Sequence, residues 1–395
     1  MVCGRTDEFL RGKNTVSDMP RAEKVLNSMR WLPAYVWQVL TRKLSRIGRR
    51  HVIIALADHF EPSFLPDTPD KWALGDAQEQ RLEKWCRAYP KAFDAYRDSD
   101  GFPFVHTYFY PAEQFNLALL ERLAEHCHAG WGEIEIQLHH GVNVPDTAEN
   151  TRRQLVEFRD SLAGLGCLSR APGDQASRYG FVHGNWALAN SCRGHYCGVD
   201  EEMQILAETG CYADFTLPSA PNPAQVAKIN ALYECALPLD SSAPHRRGHD
   251  LRVSVPPNTF PLIFQGPLKL DFERRALGGL FPVIENSALT GANPPSLHRL
   301  KLWIEARITV HGRPNWLFIK LHCHGMDPRD ESVMLGSAMQ MFLGEFIGWA
   351  RQNDIMLHFV TAREMVNVAL AACDGRDGTP SDHRDYRFRR GCKPH

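Results

Sequence analysis

Histidine recurs where apolar, strand-like runs of this sequence come to an end. Asp58-His59 closes His51-Val-Ile-Ile-Ala-Leu-Ala57, and His139-His140 closes Glu133-Ile-Glu-Ile-Gln-Leu138. His183 ends Tyr179-Gly-Phe-Val182, and His322 and His324 end Trp316-Leu-Phe-Ile-Lys-Leu321. Imidazoles and carboxylates bind zinc and similar divalent ions, and imidazole also carries protons near neutral pH. Metal-assisted hydrolysis needs two or three such ligands, a base to activate water and an acid for the leaving group. Asp58, His59 and His139 offer oxygen and nitrogen ligands, and His322 or His324 could supply the acid. A lone histidine in such a place is usually a hydrogen-bonded core residue. Four strand ends that each close on histidine predict a shared site and an enzyme.

The elements that must bring these residues together alternate along the chain. Strands are predicted at 51–58, 103–109, 133–139, 179–184, 212–217, 261–265, 316–322 and 356–361. Between them lie helices with start signals. Asp146-Thr-Ala-Glu149 and Thr361-Ala-Arg-Glu364 read as capping boxes, and Pro111 opens a helix ending at His128-Ala-Gly130. A helix over 332–349 is apolar on most sides and is expected to be largely buried. Alternating strands and helices predict a mostly parallel sheet, with helices all round it as in a closed or distorted α/β barrel. In such a barrel the C-terminal strand ends share one mouth. Alternate residues of a strand share a face, so Glu135, Gln137 and His139 point one way, and Ile136, Leu138 and His140 the other. By the same rule Lys320, His322 and His324 share a face. The stretch from Leu237 to Pro256, with His245-Arg-Arg-Gly-His249, is a long irregular segment suited to a substrate rim.

Composition narrows the class. The chain has 395 residues, 44% hydrophobic and 23% charged, with a net charge of −1. That balance supplies no field to recruit nucleic acid. No segment approaches the roughly 20 apolar residues of a membrane span, and the first residues lack a signal-peptide core. A cytoplasmic protein with mostly reduced cysteines is therefore expected. Cys192 and Cys197 flank Arg-Gly-His-Tyr and could bind zinc, although an ordinary loop is the plainer reading. Residues 1–50 form a basic amphipathic appendage. Within it, 25–50 could lie against an anionic membrane at the inner face or pack on the body with solvated charges. Residues 51–373 form the single catalytic domain, and 374–395 a polar, mobile tail.

At these residues the chain resembles the polysaccharide deacetylases, metal-dependent carbohydrate esterases related to chitooligosaccharide deacetylases. Ala57-Asp58-His59 stands where that family has Phe-Asp-Asp, and Thr107-Tyr-Phe109 resembles its Thr-Phe-Phe strand. Glu135-Ile-Gln-Leu-His139 resembles the strand before its HxxxH motif, and Leu321-His322 its final Leu-His. The second histidine of HxxxH is replaced by Asn143, leaving His140 or Asp146 to take its place. The family's third, arginine-containing motif is replaced by Phe181-Val-His-Gly-Asn-Trp186. The resemblance covers about residues 50–370 and implies a distorted barrel of about seven parallel strands. It implies Asp58 as base, His59, His139 and His140 as ligands of a divalent ion (zinc by ligand type), and His322 as acid, with His324 beside it. The implied reaction removes an acyl group, N-acetyl above all, from a saccharide or lipid-linked glycan precursor by attack of activated water. His183, Trp186, Tyr212 and Asp214 are candidate substrate contacts, with Tyr108 a further stacking face. Glu61 and Glu113 are additional carboxylates near strand ends. Two alternatives stand beside this reading. One is a glycoside hydrolase pairing Asp58 with Asp214 or Glu61; the other is a sugar-binding barrel without activity.

Overall fold

The structure, a computed structural model, describes residues 20–42, 48–65, 73, 75–276, 278–279 and 281–391. It is a mixed α/β fold built on a twelve-stranded, mostly parallel sheet. All eight predicted strands are present, at Arg50–His59, His106–Pro111, Gly132–Leu138, Ser177–His183, Cys211–Asp214, Leu262–Phe264, Trp316–Cys323 and Ile355–Phe359. Every pairing among these eight is parallel. The first strand forks: Arg50–Ile54 pair with Ile355–Phe359, while Ala57–His59 pair with the start of His106–Pro111.

Two faces of the sheet are covered in different ways. Val52, Ile54 and Leu56 face a large core with Trp85, Leu120, Leu155, Leu206 and Phe342 from the surrounding helices. Ile53, Ala55 and Ala57 face a second core formed with Met365, Val368 and Leu370 of the helix Ala362–Cys373. Small side chains at Ala55 and Ala57 suit the close approach of that helix. It is buried along its whole length, and its predicted capping box, Thr361 with Glu364, is formed. The helix expected to be buried on most sides, by contrast, spans Ser337–Gln352 and buries only the face bearing Met339, Phe342, Leu343, Phe346 and Ala350. Its Gly344 lies on the exposed side. The N-cap after the third strand is Thr147 rather than Asp146, whose carboxylate is used by His140 instead.

Two further departures, and the placing of the N-terminal appendage, concern the edges. The irregular stretch after residue 230 contributes an antiparallel extension, Leu232–Cys235 with Gly248–Asp250, and Lys269–Ala276 pairs with Phe281–Glu285 as a separate hairpin. The tail expected to be mobile folds back as far as Gly391. Arg384 and Phe388 are buried, and Phe388 stacks on Tyr212 at 5.0 Å between ring centroids. Its polar composition hid the anchoring, because Asn367 Nδ2 donates to the Arg384 and Phe388 carbonyls from inside the molecule. The N-terminal appendage forms two helices, Arg21–Met29 and Leu32–Thr41, docked through Trp31 and Tyr35 onto Ala220, Ile229 and Leu268. Residues 43–47, with the basic Lys43 and Arg46, lie outside the described residues.

Candidate metal centre

The C-terminal ends of the parallel strands border a cleft of about 1860 Å³, whose lining includes Glu61, His139, Trp186, His322 and His324. This exceeds the roughly 300–1,000 Å³ typical of small-molecule pockets. Strand alternation carries Ile53, Ala55, Ala57 and His59 on one face, so His59 turns toward the interior. Glu61 follows just past the strand end, and His324 lies one residue beyond the Trp316–Cys323 strand. Ligand atoms of His59, Glu61 and His324 lie within 4.8 Å of one another. The His59 ring centroid is 4.9 Å from that of His324 and 6.3 Å from that of His322. His59 Nδ1 and His322 Nδ1 are buried with no hydrogen-bond partner. A buried polar atom left so costs about 1–3 kcal/mol, and a cation is one way to satisfy it. Two imidazoles and a carboxylate fit a zinc-like ion.

His139 is held from two sides. Its Nδ1 lies 2.6 Å from Glu113 Oε1, and its backbone N–H donates to Glu113 Oε2 at 3.2 Å. Its Nε2 lies 3.4 Å from Glu61 Oε1, which also accepts from Gln137 Nε2 at 2.8 Å. Burial opposes a charge on His139, but Glu113 and then Glu61 outweigh it and raise its pKa to about 9. His59 and His322 are driven the other way. Burial, then His324, holds His59 well below the usual imidazole value, and burial, then Lys320, does the same to His322. The His139 ring lies so close over Gly184 that a β-carbon there would run into it. Deeper in, Lys320 Nζ donates to the Phe215 carbonyl at 2.8 Å, and burial lowers this amine to about 7. Burial also raises the Asp214 carboxyl to about 7.

The sequence-predicted residues thus separate into two groups. His59, His139, His322, His324 and Trp186 gather at or beside the cleft. Asp58 does not. It shares the opposite face with Leu56, where Oδ2 lies 2.9 Å from His106 Nδ1 and Oδ1 accepts from the Gly325 N–H at 2.7 Å. There it anchors the backbone next to His324 rather than lining the cleft. His140 and His183 also turn away from the cleft, into a buried group with Cys197 and Glu202. Tyr212 is a core residue donating to Glu135, Tyr108 packs with Trp85 and His126, and Asp214 accepts from the Thr216 N–H and hydroxyl. None of these three borders the cleft.

The alternation rule applied to the first strand would have separated Asp58 from His59. Glu61 and Glu113 carried a weak signal as carboxylates just past strand ends. Glu202, in the first turn of a helix after an irregular loop, carried none. The chain matches no protein-family model and no curated protein sequence. Fold and site together define an α/β protein with buried groups of histidine, cysteine and carboxylate able to hold a metal ion.

Proposed function

We propose that the protein is a metal-dependent hydrolase that removes an acyl group, N-acetyl above all, from a saccharide or glycan precursor. The observation that carries this reading is the convergence of His59, Glu61, His139, His322 and His324 at one end of the parallel sheet. We read that sheet as a distorted barrel, supported by the Lys320 Nζ to Phe215 carbonyl bond that spans from one side of it to the other. His59, Glu61 and His324 would hold the divalent ion, zinc by donor type. When bound, such an ion polarises an acyl carbonyl and acidifies water. His322, kept neutral by burial and by Lys320, takes a proton from the attacking water. His139, kept protonated by Glu113 and Glu61, donates a proton to the departing amine. This division gives His322 the base role expected of Asp58, and His139 the acid role expected of His322. Glu113 is a positioning residue that holds the His139 proton. Trp186 offers the rim an aromatic face for a sugar ring.

The cleft favours a large substrate, and its border suggests which. Glu23 of the first N-terminal helix and Pro20 and Arg30 at its two ends contribute to the lining. The outer side of those helices exposes Leu26, Met29, Val36, Trp37 and Leu40, with Trp37 68% and Leu40 72% exposed. Arg42, meanwhile, is turned inward onto the Asn230 carbonyl. An apolar outer face beside the cleft suits a lipid-linked substrate at the inner membrane surface, with the protein cytoplasmic and peripheral. No described helix is long and apolar enough to cross a membrane. Changing Trp37 and Leu40 together to Glu is expected to weaken binding to anionic vesicles by roughly tenfold or more. Unchanged co-sedimentation would remove the membrane contact.

The paired-carboxylate reading keeps little support, since of Asp58, Asp214 and Glu61 only Glu61 borders the cleft. Metal analysis of the purified chain combined with acetate release from a panel of N-acetylated glycans tests the proposal. A stoichiometric divalent ion and acetate release are expected. Metal-replete protein that only binds the sugars, or that cleaves glycosidic bonds instead, would overturn it.

A further inference from the structure

A second group of ligating side chains lies on the opposite face of the sheet, with no part in the proposed hydrolysis. His140 Nε2 is 2.9 Å from Glu202 Oε1, Cys197 Sγ is 3.5 Å from Glu202 Oε2, and His183 Nε2 is 3.9 Å from Glu202 Oε1. All four residues are buried, and their ligand atoms lie within 4.8 Å of one another. Ligand-to-ligand edges in a tetrahedral zinc site are roughly 3.3–3.7 Å, given bonds of about 2.0–2.3 Å. The spacing therefore brackets a closed four-ligand site. His183 Nε2 is buried with no hydrogen-bond partner. His140 turns its other nitrogen, Nδ1, to Asp146 Oδ2 at 3.0 Å, the outer carboxylate that metal-bound histidines commonly have.

The four residues come from four places: two neighbouring strand ends, the irregular loop after His183, and the first turn of the helix Glu202–Thr209. Five non-glycine residues of that loop, Trp186, Ala189, Asn190, Arg193 and Tyr196, have φ between 46° and 62°. Left-handed backbone at such residues persists where the surroundings hold it in place. Trp186, Arg193 and Tyr196 are also part of the cleft lining.

We propose that His140, His183, Cys197 and Glu202 form a structural zinc site that staples the 184–199 loop to the sheet and so shapes the rim of the cleft. Two neutral imidazoles, one thiolate and one carboxylate balance a divalent cation, so the buried site is neutral overall. Loading releases the Cys197 thiol proton and the proton shared between His140 and Glu202. It also requires the His183 proton on Nδ1, which gives up the 3.3 Å contact from the Asn185 N–H.

Cobalt(II) loading of the full chain tests this without reference to catalysis. The proposal is supported if the cobalt protein shows thiolate-to-cobalt charge-transfer absorption, which a centre of His59, Glu61 and His324 cannot give. Cys197→Ser is expected to abolish the band and one equivalent of bound metal. His324→Ala is expected to lose one equivalent and keep the band, so failure of the proposed hydrolytic centre reads out separately. Cys323→Ser, which alters the neighbouring Asp58–His106–Cys323 group, is expected to keep the band. No band in the fully loaded wild-type chain overturns the site. So does a band that survives Cys197→Ser or disappears in Cys323→Ser; the wild-type and Cys323→Ser arms decide even where Cys197→Ser does not fold.

Discussion

His139→Gln is expected to cut acetate release by about two to four orders of magnitude while leaving the bound metal in place. The argument is electrostatic. Glu113 and Glu61 flank the imidazole and raise its pKa to about 9, so it stands protonated at neutral pH and ready to donate. A glutamine keeps much of the bulk but has no transferable proton. The same shift sets the pH profile. An acid is lost as pH rises through its pKa, so activity should fall along an alkaline limb whose position Glu113 sets above the usual imidazole range. Glu113→Gln removes the largest charge holding that proton and should move the limb to lower pH, with metal content unchanged. In stability terms the sign is the same: the His139–Glu113 pair contributes fully below the unfolded imidazole pKa and fades as pH rises through about 9. Metal content and the limb are read on the same preparations. Loss of metal with His139→Gln would make it a ligand instead of an acid, and an unmoved limb in Glu113→Gln would detach the limb from this pair.

Glu133→Ala is expected to destabilise the fold by about 3–5 kcal/mol, the usual cost of stranding one member of a buried ion pair. Glu133 Oε1 accepts from Arg363 Nη2 at 2.7 Å, and Oε2 from the Thr361 hydroxyl at 3.0 Å. Arg363 is 3% exposed. Its guanidinium also reaches the carbonyls of Arg384 and Phe388, so the pair ties the buried C-terminal helix to the third strand and to the tail. Removing the carboxylate leaves the buried guanidinium with the exposed Asp385 and the more distant Glu364, 3.9 Å away, as its remaining counter-charges. Urea unfolding measures the effect. A loss under about 1 kcal/mol would mean that water reaches Arg363 and that the helix is less sealed than its burial implies. Replacing both partners by apolar residues, Glu133→Leu with Arg363→Met, should recover a large part of the loss, since no charge is then stranded.

Most of the eight parallel strands were legible as short apolar runs rich in β-branched or aromatic residues, and Gly132–Leu138 as a strict alternation of polar and apolar residues. The histidines stood out because a polar residue ending such a run breaks its pattern. The antiparallel additions were not legible: Leu232–Cys235 and Gly248–Asp250 are only a few residues long and carry no alternation of their own. The docking of the tail depends on Asn367 and Arg363, which lie far from it in sequence and give no local sign of it. Asp58 illustrates a different failure. Ligand type and strand-end position, and then the motif resemblance, put Asp58 and His59 into one site, although a strand sends neighbours to opposite faces. Here the spacing of the first strand was the better guide. Glu61 and Glu113 were visible as carboxylates, but only the folded geometry gives Glu113 to His139.

The third strand ends in two adjacent histidines that serve different masters. His139 belongs to the cleft and His140 to the group with Glu202, with a single peptide unit between them. An insertion or deletion of one residue within Gly132–Leu138 would therefore do more than disturb packing. It would send each imidazole to the other face, and one cluster would lose its histidine: an insertion puts His139 where His140 stood and Leu138 where His139 stood, and a deletion puts His140 where His139 stood and Gly141 where His140 stood. Length variation among descendants of this gene is thus expected to be rejected in this strand and better tolerated at the exposed residues 143–144, where an added residue leaves the strand register unchanged.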